Sequence, residues 1–375
     1  MTDEAPRTYK SWLKGEVKSI QREYTQPVPL LADDGTLLAA GWARHMLFDY
    51  ESKNVRPHSR FKEWEFYQVS NGRFTVQVNL AKIAVGGFVS AVLIDLKNPN
   101  TKNTPGAGVI VNSTAFFIGS KKYVMPVKGD VPNNIKYSVN GIGKADFEFD
   151  TQKNRRTLYF KSEAKGKPVE CSFEMDIPDE LENITTVLPF EGKKSSFFMT
   201  MKQNCMPCSG SLRWGEEVYS FSKNDSFCCL DWGRVNAPHR LVWYWGNGST
   251  RLTDSEGRQH IFGFEITWGI GDESFATETC LFLDGKVHKL GAVDVEVFPK
   301  PDKYMQPWHF LSEDGRFNMT MSPFYDQHSD MNALVLRMHC HQLHGLWNGT
   351  VVLDDGATLE IKDMYAFCEY VENRW

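Results

Sequence analysis

The sequence predicts an all-β protein made of antiparallel barrel or sandwich units. Apolar and polar residues alternate with a period of two in several runs, which is the pattern of a strand with one buried face. Few windows show the 3.6-residue period of a helix, and short strands at close spacing are typical of barrels and sandwiches. Tight hairpins are indicated by pairs of Asn or Asp with Gly, which stand at Asn71–Gly72, Asp284–Gly285, Asp314–Gly315 and Asp355–Gly356.

The first element is the exception to the strand pattern. Apolar residues from Ser11 to Tyr24 recur at helical spacing, so we expect a short helix there. Its apolar positions are Trp12, Leu13, Val17, Ile20 and Tyr24. A turn is predicted at Asp34–Gly35, and the strand pattern begins after it.

The strands are predicted from alternation along the rest of the chain. In the clearest run Phe74, Val76, Val78 and Leu80 share one face. Comparable alternation is found in residues 293–297, 316–321, 358–361 and 365–371.

A domain boundary is predicted in the middle of the chain. Residues 178–194 are charged and irregular in pattern, unlike the runs on either side. We therefore expect an N-terminal β domain over residues 1–186 and a C-terminal β-barrel domain over residues 187–375.

Composition limits the classes of partner. The chain has 375 residues and a net charge of −5 with both signs interspersed, so we expect no nucleic-acid partner. No apolar stretch approaches the roughly 18 residues of a membrane span, and the N-terminus lacks the apolar core of a signal peptide. Most of the 8 cysteines stand in apolar runs, which is typical of reduced core thiols and favours a cytoplasmic location.

The stretch from Phe227 to Gly246 holds the main candidates for chemistry. Its sequence places an acid, Asp231, and a guanidinium, Arg234, among apolar and aromatic residues. Charges in such surroundings are costly to desolvate unless they are paired or used. Strand alternation puts Phe227 and Asp231 on one face. Two interpretations stay open: a structural Asp–Arg pair, or the acid–base and anion-binding centre of a pocket.

A second carboxylate is predicted from the Gly-rich segment 263–285. Glu278 begins a strand-like run and is expected to face inward. Two carboxylates in unlike environments, here Asp231 and Glu278, are what general acid–base catalysis needs. The alternative is that both accept hydrogen bonds at strand ends. Lys202 is a further catalytic candidate if it points into a barrel, although the pattern alone favours an exposed lysine.

We predict no metal site from the sequence. Cys205 and Cys208 have the spacing of a zinc or redox motif, but neither suitable partners nor a following helix is indicated. His339 and His341 share a face of a strand, so two imidazoles could hold a metal, but no third ligand is placed beside them and the favoured interpretation is partly exposed residues of an edge strand. The chain has no Gly-x-Ser-x-Gly, HExxH or phosphate-loop motif, so these enzyme classes lack support.

The chain resembles a known family, the one catalogued as domain of unknown function 2804, over nearly its whole length. The resemblance rests on the Asp-Trp-Gly-Arg box at 231–234 and the closing Glu369 and Arg374–Trp375. It extends over residues 29–50, 62–69, 201–210, 230–246, 263–290 and 344–375. The sequence departs from the family pattern at Glu265 and Thr279, where Asn is usual, and at His239, where an aromatic residue is usual.

The family in turn is remotely similar to the lipocalin-like two-barrel group, which includes tocopherol cyclase and carotenoid hydratase. The resemblance implies two packed antiparallel β-barrel or half-barrel domains with a cavity in or between them. It also implies cofactor-free chemistry, in which a proton is delivered to a double bond before water addition or ring closure.

The leading hypothesis is an enzyme or carrier for a largely apolar small molecule, with Asp231, Arg234, Glu278 and Lys202 as catalytic residues and no cofactor. The predicted ligand-binding residues are Trp232, Trp243, Trp245, His239, Glu265 and Trp268. Indole faces would stabilise a developing cation. One alternative is a carbohydrate-active enzyme with paired carboxylates and stacking tryptophans. Another is a binding protein without catalysis.

Overall fold

The structure is a computed structural model that describes residues 7–11, 15–97, 108–119, 123–130, 132–254, 256–297, 303–333 and 336–374. Two large sheets make up most of it, and every strand pair within them is antiparallel. The first sheet curls into a nearly closed barrel and the second forms a half-barrel. The predicted all-β class and two-barrel architecture are therefore confirmed.

A short N-terminal segment precedes the sheets. Its strands are β1 (Arg7–Ser11), β2 (Gly15–Ser19), β3 (Val28–Pro29), β4 (Gly41–Ala43) and β5 (Phe48–Asp49). Two 3-10 turns, Ser52–Asn54 and His58–Arg60, are the helical elements of the described residues. Within those residues no helix has the length and apolarity to cross a membrane.

The helix predicted over Ser11–Tyr24 is wrong. Arg7–Ser11 and Gly15–Ser19 pair instead as an antiparallel hairpin, while Trp12 and Leu13 lie outside the described residues.

Tertiary hydrogen bonds explain this outcome. The backbone N–H groups of Ile20 and Arg22 donate to the carbonyls of Ser274 and Phe275, each at 2.8 Å. A helix would have directed these donors to carbonyls four residues earlier. Because every backbone donor needs a partner, pairing with a distant segment overrides a weak local period.

The barrel sheet holds the next strands. They are β6 (Phe61–Ser70), β7 (Phe74–Ile83), β8 (Gly86–Asp95), β9 (Val109–Ile118), β10 (Asn133–Gly141), β11 (Gly143–Gln152), β12 (Asn154–Ala164), β13 (Lys167–Ile177), β14 (Ile184–Phe190), β15 (Lys193–Trp214), β16 (Glu217–Phe221) and β17 (Phe227–Asn236). The main path runs β10-β11-β12-β13-β15-β17-β6-β7-β8-β9. One backbone bond, from Phe116 to the carbonyl of Ile142 at 2.8 Å, joins the two ends of this path.

The half-barrel sheet holds the remaining strands. They are β18 (Arg240–Thr253), β19 (Gln259–Trp268), β20 (Cys280–Leu283), β21 (Lys286–Lys289), β22 (Val293–Val297), β23 (Trp308–Ser312), β24 (Phe317–Ala333), β25 (Leu336–Val352) and β26 (Thr358–Arg374). Their order is β21-β20-β19-β18-β26-β25-β24-β23-β22. All four predicted Asn–Gly or Asp–Gly turns lie between consecutive strands. At Asp284–Gly285, both φ angles are positive, 47° and 83°, as a two-residue hairpin requires.

The segment 178–194 is not irregular throughout. Ile184–Phe190 forms β14, which is almost wholly buried and pairs with β15 and β4. The charges stand mainly beside this strand, at the turns that precede and follow it. Strand pairing passes from the first sheet to the second between Asn236 and Arg240. The division into domains at residues 186 and 187 stays a prediction.

The apolar core has three main parts. One fills the barrel around Trp232, and one fills the half-barrel around Trp308 and Trp347. The third lies between the sheets and combines residues of both, such as Phe198 from β15 and Phe282 from β20. Strand alternation thus gives β15, β17, β18, β19 and β26 one face toward their own core and one toward the other sheet.

Candidate active site between the two sheets

A lysine and an aspartate pair on the outer face of the barrel sheet. Lys202 of β15 is directly opposite Asp231 of β17 in the strand register. Lys202 Nζ lies 2.9 Å from Asp231 Oδ1, and the two residues are 4% and 8% exposed. The interpretation of Lys202 as an exposed lysine is wrong, because the second sheet covers this face.

The half-barrel sheet completes the surroundings of this pair. The indole of Trp245, on β18, lies over Lys202 with its centroid 4.1 Å from Nζ. Trp245 donates its Nε1–H to Glu265 Oε1 at 2.5 Å, and Asn247 Nδ2 donates to Glu265 Oε2 at 2.8 Å. A cation over an indole is stabilised by the ring's negative face, more so away from water.

Two more glutamates reach the same layer. Glu278, just before β20, accepts a hydrogen bond from the Thr200 hydroxyl. Glu369, on β26, accepts from Trp243 Nε1 at 3.1 Å and from Gln342 Nε2 at 3.2 Å. We call this group the inter-sheet cluster; it consists of Lys202, Asp231, Trp243, Trp245, Glu265, Glu278 and Glu369.

Lys202 carries the positive charge of the inter-sheet cluster. Burial acts against its charge, but the carboxylates of Asp231, Glu278 and Glu265 outweigh it and raise the pKa of Lys202. The lysine therefore stays protonated over the physiological range.

Burial raises the pKa values of the three glutamates. Burial is the main cause that raises the pKa of Glu265 and of Glu278, and the charge of Lys202 only partly offsets it. Burial likewise raises the pKa of Glu369 to about 7, against the hydrogen bonds from Trp243 and Gln342. Glu369, with its pKa of about 7, is therefore partly protonated near neutral pH.

A cleft of about 310 Å³ opens next to the inter-sheet cluster. Its wall is formed by the end of β6 and the turn that follows it, by the start of β17 and the turn that precedes it, and by parts of β18 and β26. Phe227 and Cys229 line it on the same face of β17 as Asp231, and Tyr365 lines it from β26. Asp231 itself is not part of the lining.

Two hydrogen-bonded routes link the cleft wall to the buried glutamates. Asn247 lines the cleft and also bonds Glu265 directly. Gln68 lines the cleft and accepts a bond from Gln77 at 2.8 Å. Gln77 donates to Gln342 at 2.6 Å, and Gln342 donates to Glu369. These bonds position the glutamates relative to the cleft wall; the amide groups do not themselves relay protons, so a ligand would have to meet the acids directly.

Arg234 and Trp232 lie elsewhere. Both point into the barrel core, on the face of β17 opposite to Asp231, and the guanidinium carbon of Arg234 lies 3.9 Å from the Trp232 ring centroid. Arg234 is 3.6 Å from Glu63 and 3.8 Å from Glu65. The interpretation that Arg234 pairs with Asp231 is wrong, because three residues of separation on a strand reverse the face.

The structure also separates Trp268 and His239 from the cluster. Trp268 stacks on Tyr244 at 4.8 Å inside the half-barrel core. His239 is exposed and accepts a bond from Arg374 Nε at 3.2 Å. Of the predicted site residues, the structure brings together Lys202, Asp231, Trp243, Trp245, Glu265 and Glu278.

Sequence reasoning missed several members of the network. Glu369 stands in the alternating run 365–371. It is on the same face of the strand as the aromatic residues Tyr365 and Phe367. A charged residue at a buried position of such a run is the signal that identifies it. The glutamines carry no comparable signal, because an isolated amide is common on either face of a strand.

The two cysteines with the spacing of a metal or redox motif do not share a face of their strand. Cys205 faces the layer between the sheets and Cys208 the barrel core, so they lie on opposite sides of β15. All 8 cysteines are free, as expected for reduced thiols.

His339 and His341 stand on β25, which lies between β24 and β26, so the interpretation of an edge strand is wrong.

Comparison with known proteins gives a family but no curated relative. A sequence profile described as "domain of unknown function (DUF2804)" matches residues 21–375. No curated protein matches the chain. A crystal structure described as a candidate AttH from Nitrosomonas europaea is 11% identical and has a TM-score of 0.43, covering 84% of this chain and 92% of that one.

Kievitone hydratase from Nectria haematococca is a second structural neighbour. It is 12% identical with a TM-score of 0.38, and the alignment covers 84% of this chain and 88% of the hydratase. At these values neither likeness bears on function.

Proposed function

This chain belongs to the DUF2804 family, and from that premise we propose that it binds a largely apolar small molecule in the inter-sheet cleft and acts on it by acid–base chemistry. The observation that carries the proposal is the inter-sheet cluster. Three glutamates with raised pKa values surround one Lys–Asp pair, and hydrogen-bonded routes join two of them, Glu265 and Glu369, to the cleft.

The proposed roles follow from protonation. Glu369, with a pKa of about 7, is the general acid for a ligand that reaches past the cleft wall into the cluster, because it can both hold and release a proton near neutral pH. Glu265 is the second acid, joined to the cleft through Asn247. The ion pair of Lys202 and Asp231 keeps one positive and one negative charge fixed beside these acids. No cofactor is part of this proposal, which would place the reaction among isomerisations, hydrations or cyclisations.

The shape and lining of the cleft support the ligand class. Phe227 and Tyr365 offer aromatic surface for an apolar body. Asn71, Ser249 and Arg251 stand at the same wall and would bind a polar group of the ligand. A cleft of mixed lining with a few fixed polar groups is the ordinary form of a small-molecule site.

The carbohydrate alternative has less support. It relies on tryptophans that stack on sugar rings, but Trp243 and Trp245 bond to glutamates and are not in the lining of the cleft. The cytoplasmic location remains a proposal, and it is supported by eight free thiols, seven of them buried.

The test is a ligand screen followed by turnover. We expect a member of a panel of fatty acids, isoprenoids, sterols and oligosaccharides to raise the melting temperature of the full chain. Compounds that bind are then incubated with the protein, and products are identified by mass spectrometry. Glu369→Gln and Glu265→Gln are expected to keep binding and to lose about 10²–10⁴-fold in rate.

The matched control is Glu360→Gln, an exposed glutamate on the same strand as Glu369. It should behave as the wild type. Binding without turnover in the wild type would identify a carrier and remove the acid–base role. Turnover that survives both buried substitutions would also contradict that role.

A further inference from the structure

Three histidines form a separate cluster on the half-barrel. His328 of β24 stands directly opposite His341 of β25 in the strand register. His339 is two residues from His341 and therefore on the same face. The rings of His328 and His341 stack at 4.2 Å with an interplanar angle of 4°, and His339 meets them edge-on at 5.2 and 4.8 Å.

Their nitrogens converge to the dimensions of a metal site. One ring nitrogen from each histidine lies within 4.8 Å of the other two. Nitrogens bound to one tetrahedral Zn²⁺ at about 2.0–2.1 Å are about 3.4 Å apart. To reach this spacing, His328 has to rotate out of its parallel stack on His341 and His339 has to turn toward them, while His341 and the backbone of the paired strands stay in place.

Two of the three histidines have a buried ring nitrogen without a protein partner. Among the described residues neither His328 Nε2 nor His339 Nδ1 has a hydrogen-bond partner, although both atoms are buried. Buried polar atoms are normally bonded, and each exception calls for an explanation such as an unseen ion. Two such atoms in one trio of imidazoles point to a shared ligand.

The third histidine is held as a metal ligand would be. Asp326 Oδ2 lies 2.7 Å from His341 Nδ1, so the other nitrogen, Nε2, is left to bind. A carboxylate behind a ligating imidazole sets its tautomer and direction, and this arrangement is common at zinc sites. Tyr304 stacks on the same ring at 4.0 Å and limits its rotation.

We propose that His328, His339 and His341 bind a divalent transition-metal ion, with Zn²⁺ as the reference ion and Asp326 as the positioning residue behind His341. Three neutral imidazoles favour Zn²⁺ and its neighbours over Mg²⁺ or Ca²⁺, which prefer oxygen ligands. A site with three protein ligands leaves a fourth position for water or a ligand molecule. This site is distinct from the inter-sheet cluster, and it replaces the sequence-based expectation of no metal.

The test is direct metal binding by the tag-free full chain after treatment with EDTA. We expect isothermal titration to show one Zn²⁺ per chain and no comparable binding of Mg²⁺. Co²⁺ in the same site should give the visible absorption of tetrahedral coordination. No binding of Zn²⁺ by the wild type would overturn the proposal.

Variants assign the site to its residues. His328→Gln and His339→Gln, both at half-buried positions, should lose more affinity than the roughly 10–100-fold expected for Asp326→Asn. His309→Gln, on β23 of the same sheet, and Cys340→Ser, between His339 and His341, are the controls and should bind as the wild type does. Equal affinity in the His328→Gln and His339→Gln variants and the wild type would place the ion elsewhere. Circular dichroism of each variant distinguishes loss of the site from loss of the fold.

Discussion

Glu369 shows how much of this protein's chemistry depends on single residues in the layer between the sheets. Its carboxyl group lies behind Trp243 and Gln342 rather than in water. Burial penalises the charged form, so the pKa rises from the ordinary 4.5 to about 7. A group with this pKa changes protonation in the range where enzymes operate, which an exposed glutamate does not.

This shift predicts a pH dependence of stability. Between pH 4.5 and about 7 the folded protein keeps a proton on Glu369 that the unfolded chain has released. Stability therefore falls as pH rises through this window, by about 3 kcal/mol for this residue, and changes no further above it. In Glu369→Gln this loss is absent. The free energy of unfolding of the variant relative to the wild type should rise by about that amount from pH 5 to pH 8, measured by urea denaturation.

Glu360→Gln is the control for this experiment, because Glu360 is exposed on the same strand. Its difference from the wild type should not vary with pH. If the Glu369→Gln difference were equally constant, Glu369 would be an ordinary ionised glutamate and the acid role would be lost.

At the scale of the element, β17 shows how one strand serves two environments. Odd-numbered residues such as Asp231 face the second sheet, and even-numbered residues such as Trp232 and Arg234 face the barrel core. The guanidinium of Arg234 donates to the carbonyls of Trp64, Gly233 and Pro126 at 2.8–3.0 Å. These hydrogen bonds join β17 to β6 and to the segment that precedes β10, so Arg234 stabilises the fold.

We therefore predict that Arg234→Lys destabilises the protein while the charge is kept. A lysine has no planar fork and cannot reach all three carbonyls. At least one charge-assisted bond would be lost, and each contributes about 1.5–3 kcal/mol. The expected loss is about 2–4 kcal/mol in the free energy of unfolding, measured in urea.

Arg213→Lys on β15 is the matched control, since Arg213 is exposed and pairs with Glu170 at the surface. It should change stability little. If Arg234→Lys were as stable as the wild type but had an altered ligand affinity, Arg234 would be a ligand-binding residue and the structural role would be wrong.

At the scale of the whole molecule, the two sheets share a core as well as a polar layer. Val235 of β17 and Phe198 of β15 belong to the same apolar cluster as Ile270 and Phe282 of the second sheet. The ion pair of Lys202 is likewise covered by Trp245 of the other sheet. Separating the sheets would expose this apolar surface and leave buried charges partly unpaired.

This arrangement predicts that the full chain unfolds in one cooperative transition. Tryptophan fluorescence and far-ultraviolet circular dichroism should give the same midpoint in urea. Phe282→Ala removes a ring from the shared core and should lower the free energy of unfolding by about 3–5 kcal/mol. The midpoint should move to a lower urea concentration, and the transition should stay single.

Two separable transitions would contradict the prediction and would show that the sheets are independent domains. The midpoint of the Phe282→Ala variant adds a second check, because a change confined to one of two transitions would lead to the same conclusion.

The fold could be predicted from the sequence in large part, and the candidate site in part. Alternation along a strand depends only on the backbone, so the strand runs, the tight turns and the all-β class could be read directly. Asp231 and Glu278 could be selected because acids in apolar runs are costly. The predicted positions of Arg234 and Trp268 were wrong. Alternation shows which residues of a strand share a face, but it does not show which core that face packs against.

The sequence by itself determined the period-two architecture, the hairpins and the presence of charges that must be buried. Only the tertiary structure decided that Lys202 and not Arg234 pairs with Asp231, that Glu369 joins them, and that three histidines converge on β24 and β25. The physical reason is that strand pairing and sheet packing bring together residues that are far apart in the sequence, such as Gln77 and Gln342, which are 265 positions apart. The pattern along one strand holds no information on which strand lies across from it.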